Sequence, residues 1–356
     1  MEDERLQALR KKIVRNKPTL KEVYGQPLYG LKTGLNAAFV IDEATYNKII
    51  TANPASLENL KPFLEGKDLK KWRAESRNLY LILFPRGWTR QQMGKEDIEV
   101  SEAEAWQWLQ QQHPQICEWL EPFAEKGRKR GDKGEFWWEL RACAYYESFE
   151  KAKIVYNRFM PSPLFWVDTD STYFNNALNL INAVSYYELG LLNSNISWFF
   201  LKSIASAMSG GFYQIHGHVL EKLPIPKATN AQQELIALLA ENCQTQAEQR
   251  YQLQNGIRKN IPSLCPDGQA PKLNNKLKNW WTLGFDAFQK EIKKQFKHSM
   301  TLDENMQWQD VFEGQKQKIQ SSSAELAQKE QQLNQAVYKL FGLDEEEIKL
   351  LEESLR

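Results

Sequence analysis

The stretch Leu223-Pro-Ile-Pro-Lys-Ala-Thr-Asn230 divides this 356-residue chain into two textures. Two prolines in three positions can neither continue a helix nor sit inside a central strand. Before them, short apolar runs alternate with Gly- and Pro-containing breaks. After them, residues 230–255 are rich in Gln, Glu, Ala and Leu and read as a helix. The expected fold class is therefore α+β. A short N-terminal helix and linker (1–24) leads into a mixed α/β domain (25–228). A mostly helical C-terminal region (229–356) with one long helix follows.

Upstream of the junction, the run Leu79-Tyr-Leu-Ile-Leu-Phe84 lies between Asn78 and Pro85-Arg86-Gly87 and has the length of a buried strand. Residues 37–41, 153–156 and 165–167 are further strand candidates, and 25–41 is expected to be extended chain broken by Gly30 and Gly34. Residues 101–123 read as one helix capped by Ser101, with Glu104 three places on. Residues 2–15 read as a charged helix with an apolar stripe of Leu6, Leu9, Ile13 and Val14. Residues 186–207 read as one apolar core helix, ended at Gly210-Gly211. Between these lies a basic, glycine-broken loop, Lys126-Gly-Arg-Lys-Arg-Gly-Asp-Lys-Gly134.

Downstream, residues 256–275 form a linker and 286–298 a helix. A long helix is expected over 310–340, where Phe312, Ile319, Leu326, Leu333 and Leu340 recur every seven residues. The companion heptad positions are polar (Gln315, Ser322, Lys329), so a strong zipper is not expected. The apolar face still needs a cover, either a partner subunit or the chain's own helices.

Composition narrows the function. No run of eighteen apolar residues exists, and the first residues, Met-Glu-Asp-Glu-Arg, lack the apolar segment of a secretory signal. A cytoplasmic protein without membrane contact is expected. Cys117, Cys143, Cys243 and Cys265 are widely spaced and read as free thiols. Net charge is +1. Residues 1–229 hold 30 Lys/Arg against 27 Asp/Glu, and the remainder 16 against 18. A nucleic-acid site would thus be a local patch and not a global field.

The chain has no Gly-rich cofactor turn joining a strand to a helix, no P-loop, no nucleophile elbow and no Asn-Pro-Pro-Tyr-type motif. Asp267 followed by Glu291-Ile-Lys293 superficially matches a metal nuclease, but that chemistry places the last pair on a strand, and these residues have helical character. His216 and His218 lack a nearby carboxylate or cysteine to complete a metal site. No catalytic or metal-ligating residue is expected, and a small nuclease on Asp267, Glu291 and Lys293 or a helical protein–protein adaptor remain the alternatives.

Four ordered motifs resemble the TaqI-like C-terminal specificity domain, the target-recognition region of large adenine-specific DNA methyltransferases in type IIG restriction–modification and BREX-type phage-exclusion systems. The first is Gly30-Leu-Lys-Thr-Gly-Leu-Asn-Ala-Ala-Phe-Val-Ile41. The second is Leu60-Lys-Pro-Phe-Leu-Glu-Gly-Lys-Asp-Leu-Lys70. The third is Trp138-Glu-Leu-Arg141 with Tyr145-Tyr146 and Lys153-Ile-Val-Tyr156. The fourth is Leu191-Leu-Asn-Ser194 with Trp198-Phe199, ending at Leu223-Pro-Ile-Pro226. The tail Val337-Tyr-Lys-Leu-Phe-Gly-Leu-Asp-Glu-Glu-Glu-Ile348 is also similar. The resemblance implies a module that reads a short sequence in double-stranded DNA and directs a methyltransferase or nuclease located on a missing domain or separate chain. S-adenosylmethionine would belong to that other domain or subunit. Such a region ordinarily follows a methyltransferase domain, whereas little precedes Gly30 here. A separate specificity subunit or a fragment of a larger enzyme is expected.

Candidate DNA contacts follow from chemistry. Lys32, Thr33 and Asn36 supply donors in a glycine-rich loop. Lys67, Lys70 and Lys71 are phosphate partners. Arg86 has the fork that pairs with guanine O6 and N7. Arg128, Lys129, Arg130 and Lys133 form the densest basic cluster, suited to phosphate tracking. Tyr213, after the glycine pair, could stack on or bond a base.

Overall fold

A computed structural model describes residues 4–355 except 184, 267, 269 and 270. Its centre is a four-stranded antiparallel sheet in the order Leu28–Tyr29, Leu178–Ile181, Lys153–Asn157, Phe165–Asp168. Both faces of this sheet are covered, which is why its strands are apolar runs and not alternating ones. Along Lys153–Asn157, Ile154 and Tyr156 enter one hydrophobic core while Val155 enters another. The period-two geometry of a strand thus divides one buried segment between two cores.

The first core joins Leu189, Ile196 and Leu201 to Ala240, Cys243, Leu333 and Val337. It crosses the proline-rich junction, so residue 229 marks a change of secondary structure and not a gap in packing. The second core gathers Phe63, Phe84, Leu109, Trp138, Phe149 and Tyr173. Its sheet has the order Tyr173–Phe174, Leu60–Leu64, Leu79–Ile82, Val40–Ile41, with only the first pair parallel. The third core lies wholly in the helical region, around Ile257, Trp280, Phe288, Ile292 and Phe312.

At the centre, Lys153 faces Asp168 in cross-strand register. Their charged groups meet at 2.7 Å with both side chains 0% exposed. The amine also donates to the Phe149 carbonyl at 2.7 Å, and the carboxylate accepts from the Asp170 and Thr172 amides and the Thr172 hydroxyl. Burying a charge pair is tolerable only when the remaining donors and acceptors are filled in this way.

Several elements depart from the sequence reading. The helix expected over 101–123 is split into Glu102–Gln112 and Pro114–Leu120, because proline disfavours helical backbone at the residue before it and is favoured at a first turn. The apolar stretch after Ser185 forms Tyr186–Leu192 and Asn195–Ile204. The Asn193 side chain at the break exchanges hydrogen bonds with the Phe165 backbone, 3.2 and 3.0 Å. Asn36–Phe39 is a helical turn within the stretch read as extended. Part of the loop read over 126–134 is the helix Ala124–Lys129.

The two long helices, Asn230–Asn260 and Leu302–Phe341, exceed their sequence estimates. Each starts at a reciprocal Thr cap, Thr229 with Gln232 and Thr301 with Glu304. Phe312, Ile319, Leu326 and Leu333 are all buried within this chain, so the heptad face is covered by the molecule's own first and third cores. No partner subunit is needed to cover that face. Gly30 also has an internal reason: a Cβ there would fall 2.1 Å from the Asn175 carbonyl oxygen. Its amide donates to the Leu178 carbonyl at 3.0 Å. The close approach is to the chain's own backbone.

Candidate nucleic-acid interface

The residues singled out by sequence fall into separate places. Thr33 is buried; its hydroxyl donates to Asn36 Oδ1 at 2.5 Å and accepts from the Leu35 amide. Lys32 and Asn36 are exposed beside it. Arg130 is buried and donates to the carbonyls of Thr33, Asp132, Trp137 and Glu139. Its guanidinium lies 4.3 Å from the Phe39 ring centroid, and burial pushes its pKa down to about 10. It holds two loops together and, with Thr33, has no surface to offer a phosphate.

Its neighbours in the basic cluster are exposed but engaged. Arg128 pairs with Glu102 at 2.6 Å, Lys129 with Glu125 at 2.5 Å, and Lys133 donates to the Arg128 carbonyl at 2.6 Å. Arg86 is exposed, with no partner among the described residues. The turn carrying it is fixed by the fully buried Glu139 carboxylate, which accepts from the amides of Gly87, Thr89 and Glu135. Tyr213 is half-buried, edge-on to Trp198 at 5.5 Å, in the short sheet formed with Ser206–Ala207 and Phe159–Met160.

Lys67, Lys70 and Lys71 do come together, in a cleft of about 1180 Å³ between the α/β part and the helical region. Among the described residues its lining includes nine Lys/Arg side chains and two carboxylates, Asp68 and Glu75. The first wall is a tight hairpin, Leu69–Lys70 paired with Arg73–Ala74. Its tip is pinned to the long helix: the buried Trp72 indole donates to Glu330 at 2.5 Å, and Lys71 meets the same carboxylate at 2.8 Å. Other cations on this wall are paired too. Arg77 bridges Asp68 and Glu65 at 2.6 and 2.5 Å, Lys67 meets Glu65 at 3.1 Å, and Arg73 pairs with Glu75. Burial lowers the Arg73 pKa, against the raising effect of Glu75.

The second wall comes from the helical region. Arg250, Gln254 and Arg258 are four residues apart along the Asn230–Asn260 helix and share one face. Lys272, Lys278 and Trp281 complete it. Arg258 donates Nε–H to the Lys278 carbonyl at 2.8 Å and lies 5.3 Å from the Trp281 ring centroid and 5.8 Å from that of Tyr251. Tyr251 also receives Arg73 at 4.1 Å, so one ring contacts a guanidinium from each wall.

This second wall was missed by sequence reasoning, as were Arg73 and Arg77. The four-residue spacing of Arg250 and Gln254 with Arg258 was a legible signal that they share a face. That the face meets Lys67–Lys71 was not.

Among the described residues, no group of three or more His, Cys, Asp or Glu could hold a metal. The His216 and His218 rings stack at 5.3 Å without a third ligand. Glu291 lies on the helix Phe285–Phe296 and accepts from Asn274 and Lys276, both at 3.0 Å. Lys293 is exposed on the same helix, and Asp267 lies outside the described residues. Burial pushes the thiols of Cys117 and Cys243 up to about 12, which suits core residues and not nucleophiles.

Over residues 61–225 the chain matches the family described as the TaqI-like C-terminal specificity domain. Residues 229–337 match a second family, described as a domain of unknown function. No curated protein matches the chain. Among solved structures, it is similar to a chain of the Type IIL restriction-modification enzyme MmeI in complex with DNA, at 12% identity and a TM-score of 0.46. That match covers 86% of this chain and spans 37% of the length of the other.

Proposed function

We propose that this chain reads a short sequence in double-stranded DNA for a restriction–modification system. The reading is supported by one coincidence above all. The first wall of the cationic cleft, residues 67–77, lies inside the stretch that matches a specificity domain. A chain of net charge +1 concentrates nine cations around one cleft, and such local patches are the electrostatic footprint of phosphate binding. Lys67, Lys70 and Lys71 position the duplex there. The exposed Arg86 and Lys32, which have no partner among the described residues, and Asn36 are candidates for base contacts; Arg128 and Lys129 can exchange surface carboxylates for phosphates, and Lys133 can exchange the Arg128 carbonyl.

The chain itself performs no chemistry in this reading. Methylation, at adenine N6 and with S-adenosylmethionine, and any cleavage belong to another domain or subunit, as in a phage-defence system acting in the cytoplasm. Among the described residues no helix is long and apolar enough to cross a membrane.

Selection from a randomised duplex pool, with and without the candidate methyltransferase, tests the reading. Enrichment of one short motif is expected. Binding to no duplex, or magnesium-dependent cleavage by the chain alone that Glu291→Ala abolishes, would refute it.

A further inference from the structure

We propose that the helical region beyond residue 229 is a phosphate clamp that closes the cleft from its second side. This gives a binding role to residues whose family is described only as a domain of unknown function. The inference rests on the reading of the chain as a duplex-DNA reader.

The carrying observation is where positive charge is left over. On the first wall, Lys67, Lys71, Arg73 and Arg77 each have a carboxylate partner, and the Lys70 amine donates to the Lys67 carbonyl at 2.6 Å. Both carboxylates that line the cleft among the described residues belong to that wall and are engaged by Arg77 and Arg73. On the second wall, Arg250, Arg258, Lys272 and Lys278 have no ion pair among the described residues. Uncompensated cations facing a shared cleft attract an anion, and four from one wall fit a polyanion better than a single small ligand.

Arg258 is the best prepared of them. Its Nε is fixed on the Lys278 carbonyl, its plane lies beside two aromatic rings, and its terminal nitrogens have no partner among the described residues. A guanidinium held this way loses little side-chain freedom on binding and presents its fork to a phosphate. Lys272 and Lys278 are exposed on the short segments that follow. Cations and stacking surfaces dominate this set. The clamp therefore supplies affinity and register, and sequence is read elsewhere.

The test uses the full chain and two duplexes, the one enriched from the random pool and a mixed-sequence control. Two variants are compared with wild type, Lys272→Gln/Lys278→Gln at exposed positions and Arg258→Gln. Unchanged melting curves verify the fold. If the double variant melts early, the charge-preserving Arg258→Lys, compared with Arg258→Gln, carries the test. Expected are parallel weakening on both duplexes, on the order of tenfold at moderate salt. The slope of log affinity against log salt should become shallower by about 0.9 per cation removed. Wild-type binding with unchanged affinity and slope in the variants would overturn the clamp alone. Changed sequence preference would overturn it too, by making these residues base readers. Failure of wild type to bind either duplex would instead sink the DNA reading itself.

Discussion

The guanidinium of Arg73 lies 4.1 Å from the ring centroid of Tyr251. One residue belongs to the hairpin of the α/β part and the other to the first long helix, so this stack ties the two walls of the cleft together. A double-mutant cycle of Arg73→Met and Tyr251→Leu, followed by urea unfolding, should give a coupling of about 0.5–2 kcal/mol. Additive effects would mean that this stack adds nothing to the Glu330 contacts and the cores that hold the walls.

The pair Lys153–Asp168 is the structural opposite: sealed from solvent at 2.7 Å and away from the cleft. Removing one partner leaves a buried charge without its counterpart. Lys153→Met or Asp168→Asn is expected to cost about 3–5 kcal/mol, read as a lowered urea midpoint with an unchanged slope. A loss below about 1 kcal/mol would show that the pair is neutralised or hydrated in solution.

Arg130 and its sequence neighbours should separate cleanly. Arg130→Ala removes a buried cation from four carbonyls and should destabilise by about 2 kcal/mol or more. Arg128→Ala/Lys129→Ala removes exposed pairs and should stay within about 0.5 kcal/mol per substitution. Thermal melting measures the first effect; duplex binding at physiological salt is where the second should appear.

His113 gives the fold a pH dependence. It is buried, shares a 2.9 Å hydrogen bond with Ser56, and burial lowers its pKa below the ordinary histidine value. Above that ordinary value both folded and unfolded states are neutral and its contribution is intact. As pH falls through it, the unfolded chain takes up a proton that the folded one resists, and stability drops until the lowered folded pKa is passed. Urea midpoints at pH 7.5 and 5.5 should therefore differ more for wild type than for His113→Gln. Equal differences would place the titration on other groups.

Much of this molecule was legible along the chain. Local chemistry identified the cap at Ser101 with its glutamate three places on, the strand after Asn78 and the change of texture at Pro226, because each depends on residues a few positions apart. Breaks at His113-Pro114 and Asn193-Ser194 were missed: the first is a steric effect that the apolar pattern runs through, and the second is stabilised by a distant strand end.

Sequence by itself determined the class of the fold, its two textures, and the resemblance over the α/β part, since periodicity, turn residues and motif order are properties of the linear chain. Tertiary structure alone decided which cations matter. Arg130 and Arg128 stand two positions apart in one basic run, yet one is buried on carbonyls and the other is at the surface. Lys70 and Arg258 lie 188 positions apart and line one cleft. Charge is counted along a sequence, but desolvation, ion pairing and convergence depend on distance in space. The packing of the second core sets the first of these contrasts, and the docking of the Asn230–Asn260 helix against the α/β part sets the second.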